Sequence, residues 1–132
     1  KAVTERFLLG KYYYEKIFDQ NPEVLFISAA GNEGQDLSRY RYLPAWAERP
    51  NHLVVGALDA KGGKASWSNY GRLIRCWALG EAVKVWTPVR EKMEMVEGTS
   101  FSAPLVSRQA AYQWLTHPHD SAGTIIRRLT AE

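Results

Sequence analysis

Two short stretches, EVLFISAAG within residues 23–31 and HLVVGAL within 52–58, are apolar at consecutive rather than alternate positions. A strand with one face in water alternates apolar and polar side chains, whereas an unbroken run suits a strand buried on both faces of a parallel sheet. Such a sheet needs helices to cover it, and the preceding TERFLLGKYYYEKIFDQ has the pattern of one. There Phe7, Leu8, Tyr12, Ile17 and Phe18 recur at three- and four-residue spacings between charges, with Gly10 as a weak point and Asn21-Pro22 as the stop. A helix followed by a doubly buried strand predicts an α/β fold.

The rest of the chain extends this pattern. Residues 31–51 and 59–71 are rich in turn formers and read as loops. LIRCWA and AVKVW read as two further strands separated by Leu79, Gly80 and Glu81, and the polar stretch from Pro88 to Glu97 reads as loop. SFSAPLVSRQAAYQWL has helical periodicity, and SAGTIIRRL closes the chain as a short helix. There is no internal repeat, low-complexity tract or interdomain linker. A length of 132 residues with 45% hydrophobic content suits one packed domain.

Composition narrows the function. Seventeen Lys and Arg against 14 Asp and Glu give a net charge of +3, and the basic residues are scattered, so nucleic acid is not the expected partner. No apolar run approaches the roughly 20 residues needed to cross a bilayer, so no membrane partner is expected either. The start carries no signal-peptide pattern, and Lys1 in place of Met suggests a processed product or a piece of something longer. The single cysteine, Cys76, cannot form an internal disulfide, and its apolar neighbours predict a buried, inert thiol.

Two motifs carry chemistry. In VEGTSFSAP, residues 96–104, Ser100 and Ser102 stand between a glycine and a proline at the start of a helix. Unpaired N–H groups and the positive end of the helix dipole stabilise developing negative charge there, but the same geometry serves an ordinary cap. The two serines differ by about 200° around the helix, so they cannot share a role. A nucleophile elbow, G-x-S-x-G, would need glycine at Ser102. In SAAGNEG, residues 28–34, Asn32 falls at the carboxyl end of a buried strand, where open α/β sheets bind ligands. Its amide could donate to an oxyanion, or Gly31 and Asn32 could simply form a turn.

In their order and spacing, SAAGNEG, VVGALDAKGGKASWSNYG, CWALGEAVKVWTP, EGTSFSAP with its helix, and IIRRLTAE resemble the carboxyl-terminal half of the subtilisin-like serine proteases. The resemblance covers nearly the whole chain, and AAGNEG and GTSFSAP are its specific parts. It implies a three-layer α/β/α fold with a mostly parallel sheet, present here only as its carboxyl-terminal part, residues 1–132. It makes Ser100 the nucleophile and Asn32 the side-chain donor of the oxyanion hole, with the backbone N–H of Ser100 as second donor. Ala29, Ala30 and Gly31 would line one wall of the pocket for the residue before the scissile bond. Thr99 is counted with them on the substrate side and, with Pro104, would set the helix entry.

The family's Asp and His motifs lie upstream of the matched region, and nothing here replaces them. His52 in RPNHLVVGAL is expected to be structural or solvent-facing. His117 and His119 in THPHD lie beyond the long helix and make an incomplete metal-ligand set, so no metal is assigned. The chain alone should therefore be inactive. Its expected partners are a polypeptide substrate and an upstream segment or separate chain that carries Asp and His. Without that half, an open sheet edge, an uncovered face on the opening helix and an exposed apolar surface are expected.

No cofactor is called for; the family resemblance allows calcium, which no residue pattern here demonstrates. The family favours a secreted or cell-surface location and also includes intracellular members. Departures from the family pattern are Leu79 for the Pro of Ala-Pro-Gly, Glu97 before Gly98, and PLVSR for Pro-His-Val-Ala-Gly, which puts Arg108 where glycine would allow close packing. Two readings stay open: the Ser100-bearing part of a subtilisin-like endopeptidase, or a non-catalytic protein-binding module that retains the fold.

Overall fold

The computed structural model describes residues 2–131. Its elements, in chain order, are α1 (Ala2–Gln20), β1 (Phe26–Ala29), β2 (His52–Leu58), β3 (Ile74–Leu79), β4 (Val83–Thr87), β5 (Lys92–Val96), α2 (Thr99–Thr116) and α3 (Ala122–Thr130). Strands β1, β2 and β3 form a parallel sheet in that order, while β4 and β5 form a separate antiparallel hairpin.

The central strand explains the apolar run that marks it. Leu53 and Val55 point to one face of the sheet, where Val106 of α2 and Ile126 of α3 pack on them; Val54 points to the other face, against Ala30, Leu37, Ala45, Leu73 and Ile74. With His52 through Ala57 all buried, neither face of β2 has a solvent side to mark with polar residues. Phe26 and His52 are register partners on the face opposite α2, and Phe18 of α1 packs on both, with ring centroids 4.5 and 4.7 Å away. Helices therefore stand on both sides of the sheet, giving three layers.

Two expectations change. Strand β1 is only four residues long and half-buried rather than buried on both faces, because among the described residues it pairs with β2 alone and forms a sheet edge. The stretch 88–97 is not all loop: Lys92–Val96 is a strand, paired Val83 to Val96 and Trp86 to Met93. Its Lys, Met, Glu, Met, Val hides in composition as a polar segment, and in the hairpin Met93 and Met95 share the exposed face while Glu94 and Val96 are half-buried on the other. After Gly80 N donates to Leu58 O at 2.9 Å, Ala82 at φ 54° turns the chain out of the main sheet, so AVKVW continues into the hairpin.

Helix α1 starts and stops near the predicted bounds, Asn21 closing it with Nδ2 donating to Ile17 O at 2.8 Å. Most of its apolar side chains remain uncovered: Leu8 and Leu9 are each 55% exposed, Tyr12 and Tyr13 each 54%, and Ile17 47%. The expected uncovered helix face and open sheet edge are thus both present. Among the described residues, no helix is long and apolar enough to cross a membrane.

Candidate functional site

The chain enters α2 from β5 through Gly98, whose φ of 143° is rarely adopted by residues bearing a Cβ. Neither Thr99 nor Ser100 caps the helix with its own side chain. The cap comes from the loop after β1: Asn32 Oδ1 accepts from Thr99 N at 2.9 Å and from Thr99 Oγ1 at 2.8 Å. Thr99 Oγ1 in turn accepts from Gly31 N at 3.1 Å. Thr99 is 1% exposed, so it does not present a substrate surface as expected; its hydroxyl is spent on orienting Asn32.

This arrangement decides which end of the Asn32 amide is free. With Oδ1 taken, Nδ2 is left as a donor without an acceptor among the described residues. A methyl group built on Gly98 would stand 3.2 Å from Ser100 Oγ and 3.7 Å from Asn32 Nδ2, so hydroxyl and amide donor flank the same small space. Ser100 and Asn32 are both exposed. The Ser100 N–H lies in the first turn of α2, where no intrahelical acceptor exists, and no other described residue accepts from it. Two unspent N–H donors at the positive end of a helix can stabilise an oxyanion as it forms beside the Ser100 hydroxyl.

Ser102, two residues on, is fully buried with Oγ facing Leu79 O at 3.3 Å, as the 200° separation requires. Of the residues expected along the substrate wall, Ala29 is half-buried, and Ala30 is completely buried. Gly31, at φ 98°, is packed so closely that an added Cβ would lie 2.4 Å from Asn69 Nδ2. Only Ala29 among these three offers appreciable side-chain surface.

Among the described residues, no histidine is hydrogen-bonded to Ser100. His52 is 6% exposed, with Nδ1 2.8 Å from Ala47 O and Nε2 2.8 Å from Ser28 Oγ, so both ring nitrogens are occupied. Burial pushes its pKa below the ordinary 6.5 and keeps the ring neutral. His117 caps the far end of α2, about 25 Å from Ser100 by helix rise. Among the described residues, no cluster of three or more His, Cys, Asp or Glu could hold a metal ion.

Cys76 is less buried than expected. It shares a cleft of about 370 Å³ with Trp77, Ala78, Leu105, Arg108 and Leu129, and partial burial raises its thiol pKa, which favours the unreactive protonated form. Arg108 avoids the packing problem posed by its position by turning outward, its guanidinium 5.6 Å from the Tyr112 ring. Sequence reasoning overlooked Asn69, which reads as a turn residue in SWSNYG but is fully buried against the Asn32 loop.

Residues 9–131 match the model of the subtilase family. The chain is 34% identical over 119 residues to alkaline protease 1 of Aspergillus clavatus, covering 85% of this chain and 28% of that protein. It is 39% identical over 93 residues to a cuticle-degrading serine protease of Arthrobotrys oligospora, covering 70% and 22%. Among solved structures, a cold adapted subtilisin-like serine proteinase superposes with a TM-score of 0.73 at 25% identity, covering 83% of this chain and 38% of that one. The self-cleaved protease domain of PatA gives 0.69 at 30% identity, covering 85% and 42%. The chain thus spans less than half the length of each of these proteins. Nearly its whole length matches the family model, and its sheet and helices superpose on subtilisin-like enzymes: the chain belongs to the subtilase family of serine proteases.

Proposed function

We propose that this chain is the nucleophile-bearing, carboxyl-terminal part of a subtilisin-like serine endopeptidase domain, whose Asp and His come from an upstream segment or a separate chain. The observation that carries the reading is the Asn32 amide, turned by Thr99 so that Nδ2 and Ser100 Oγ flank one space. A binding module would need neither an exposed hydroxyl nor two unspent donors around it.

In this reading Ser100 Oγ attacks the carbonyl carbon of a peptide bond while the missing histidine takes its proton. The carbonyl oxygen becomes an oxyanion that accepts from Asn32 Nδ2 and Ser100 N–H. Collapse breaks the C–N bond, the histidine returns the proton to the leaving amine, and water then hydrolyses the Ser100 ester. An outside base is supported by His52, which has both nitrogens engaged, and by His117, which lies at the opposite end of α2 with His119 beyond it in sequence. The uncovered α1 face and the open edge of β1 supply a surface on which that segment could pack.

The test is labelling by a fluorophosphonate probe of this chain alone, of the chain joined to its upstream coding sequence, and of a Ser100→Ala variant of the latter. Labelling confined to the joined protein and lost in the variant is the expected result. Absence of labelling in every folded sample would replace this reading with a non-catalytic protein-binding role.

A further inference from the structure

The geometry points to Asn69 as a positioning residue for the oxyanion donor Asn32, a role that rests on the protease reading above. Asn69 is completely buried, in the loop between β2 and β3. Its amide is used at both ends. Nδ2 donates to Ala30 O at 2.8 Å and to Glu33 Oε2 at 2.6 Å, while Oδ1 accepts from Glu33 N at 3.2 Å and Gln35 N at 2.9 Å. Its backbone N donates to Gly31 O at 3.0 Å. Residues on both sides of Asn32 are therefore held by one side chain and its own backbone, and Asn32 is left to face Thr99.

Asn69 is itself anchored. The neighbouring Ser68 Oγ donates to Asn69 O at 2.9 Å and accepts from Ala57 N of β2 at 3.1 Å, which ties the clamp to the central strand. The close approach also accounts for Gly31, since a Cβ there would stand 2.4 Å from Asn69 Nδ2. Only an amide combines a carbonyl oxygen for two N–H donors with an N–H pair for a carbonyl and a carboxylate.

Displacing a catalytic donor by about 1 Å can cost on the order of 100-fold in rate. Because an oxyanion donor acts on charge that develops in the transition state, such a shift lowers kcat and leaves KM largely unchanged. A residue that only stabilised the fold would not show this split, nor would its effect depend on Asn32.

The experiment measures kcat and KM on a chromogenic peptide anilide, using the chain joined to its upstream coding sequence. Asn69→Asp keeps the volume and both acceptor bonds but loses the donor to Ala30 O and sets a second carboxylate against Glu33; Asn69→Ser removes the clamp without adding charge. Each is made with Asn32 intact and in an Asn32→Ala background, and rates are referred to folded protein by circular dichroism. Expected are a fall in kcat of at least about tenfold with KM within about twofold, shrinking to less than about twofold once Asn32 is replaced. An equal fall in both backgrounds, an unchanged kcat, or loss of folding in both variants overturns the role. An unsubstituted protein without Ser100-dependent hydrolysis overturns the protease reading and this role together, an outcome distinct from an active enzyme indifferent to Asn69.

Discussion

Thr99 and Asn32, 67 positions apart, are joined at a single oxygen: Asn32 Oδ1 accepts both the backbone N–H of Thr99, at 2.9 Å, and its hydroxyl, at 2.8 Å. One side chain thereby caps α2 and has the orientation of its amide decided. Thr99→Val keeps the shape and the backbone bond but removes the hydroxyl, which also leaves Gly31 N without its acceptor. In the protease assembled as proposed, kcat should fall about tenfold with KM nearly unchanged, since a hydrogen bond to a buried group typically contributes about 1 kcal/mol or more. Asn32→Ala should cost more, about 10²- to 10³-fold in kcat, the size typical of removing one oxyanion-hole donor. Steady-state kinetics on a peptide anilide separates the two.

Gly98→Ala should damage the site from the backbone side. At φ 143° the new Cβ is strained, and it would meet Ser100 Oγ at 3.2 Å. A stability loss of about 1–3 kcal/mol is expected from the dihedral alone. Denaturant unfolding of this chain measures it, and probe labelling of the assembled protease should slow by more than the folded fraction explains.

His52 should make stability depend on pH. Its folded pKa lies below the unfolded value of 6.5 because burial disfavours the charged ring. The unfolded chain therefore binds more protons, so the contribution is complete above about pH 6.5 and is lost as pH falls below it. The melting midpoint should drop between pH 7.5 and pH 5.0, and the drop should shrink in a His52→Gln variant. An equal drop in that variant would place the titrating group elsewhere.

The uncovered side of α1 should make the isolated chain self-associate. Leu9, Tyr13 and Ile17 stand at four-residue spacing, with Leu8 and Tyr12 on the adjacent stripe, each about half exposed. Sedimentation should show concentration-dependent association, reduced by Leu9→Lys together with Tyr13→Lys. Joining the upstream segment should suppress it without either substitution.

The helices and the central strand were legible in the sequence because burial leaves a period. Leu53 through Leu58 lack alternation since both sheet faces are covered, and α3 shows Ile125 and Ile126 turned inward with Arg127 and Arg128 outward. Strand β5 was not legible, because Lys92 and Glu94 give the segment a loop-like polarity and what makes it a strand is its pairing with β4. The half-exposed state of β1 was hidden as well: its run is apolar enough for an interior strand, and its place at the edge depends on what else pairs with it.

The candidate site divides along the same line. GTSFSAP and AAGNEG place Ser100 and Asn32 at the ends of elements, and that much is local; taken alone each also suits a cap or a turn, and only the resemblance of the two motifs in order to subtilisin-like proteases implied their roles. Sequence alone determined the α/β class, the helix that starts at the serine and the separation of Ser100 from Ser102. Only the tertiary structure decided that Thr99 serves Asn32 rather than a substrate, that Asn69 grips the turn, and that His52 is held between Ser28 and Ala47. Those relationships join residues 24 to 67 positions apart or lie across a loop, and a hydrogen bond of that kind depends on the distance between two folded segments, which leaves no period in the chain.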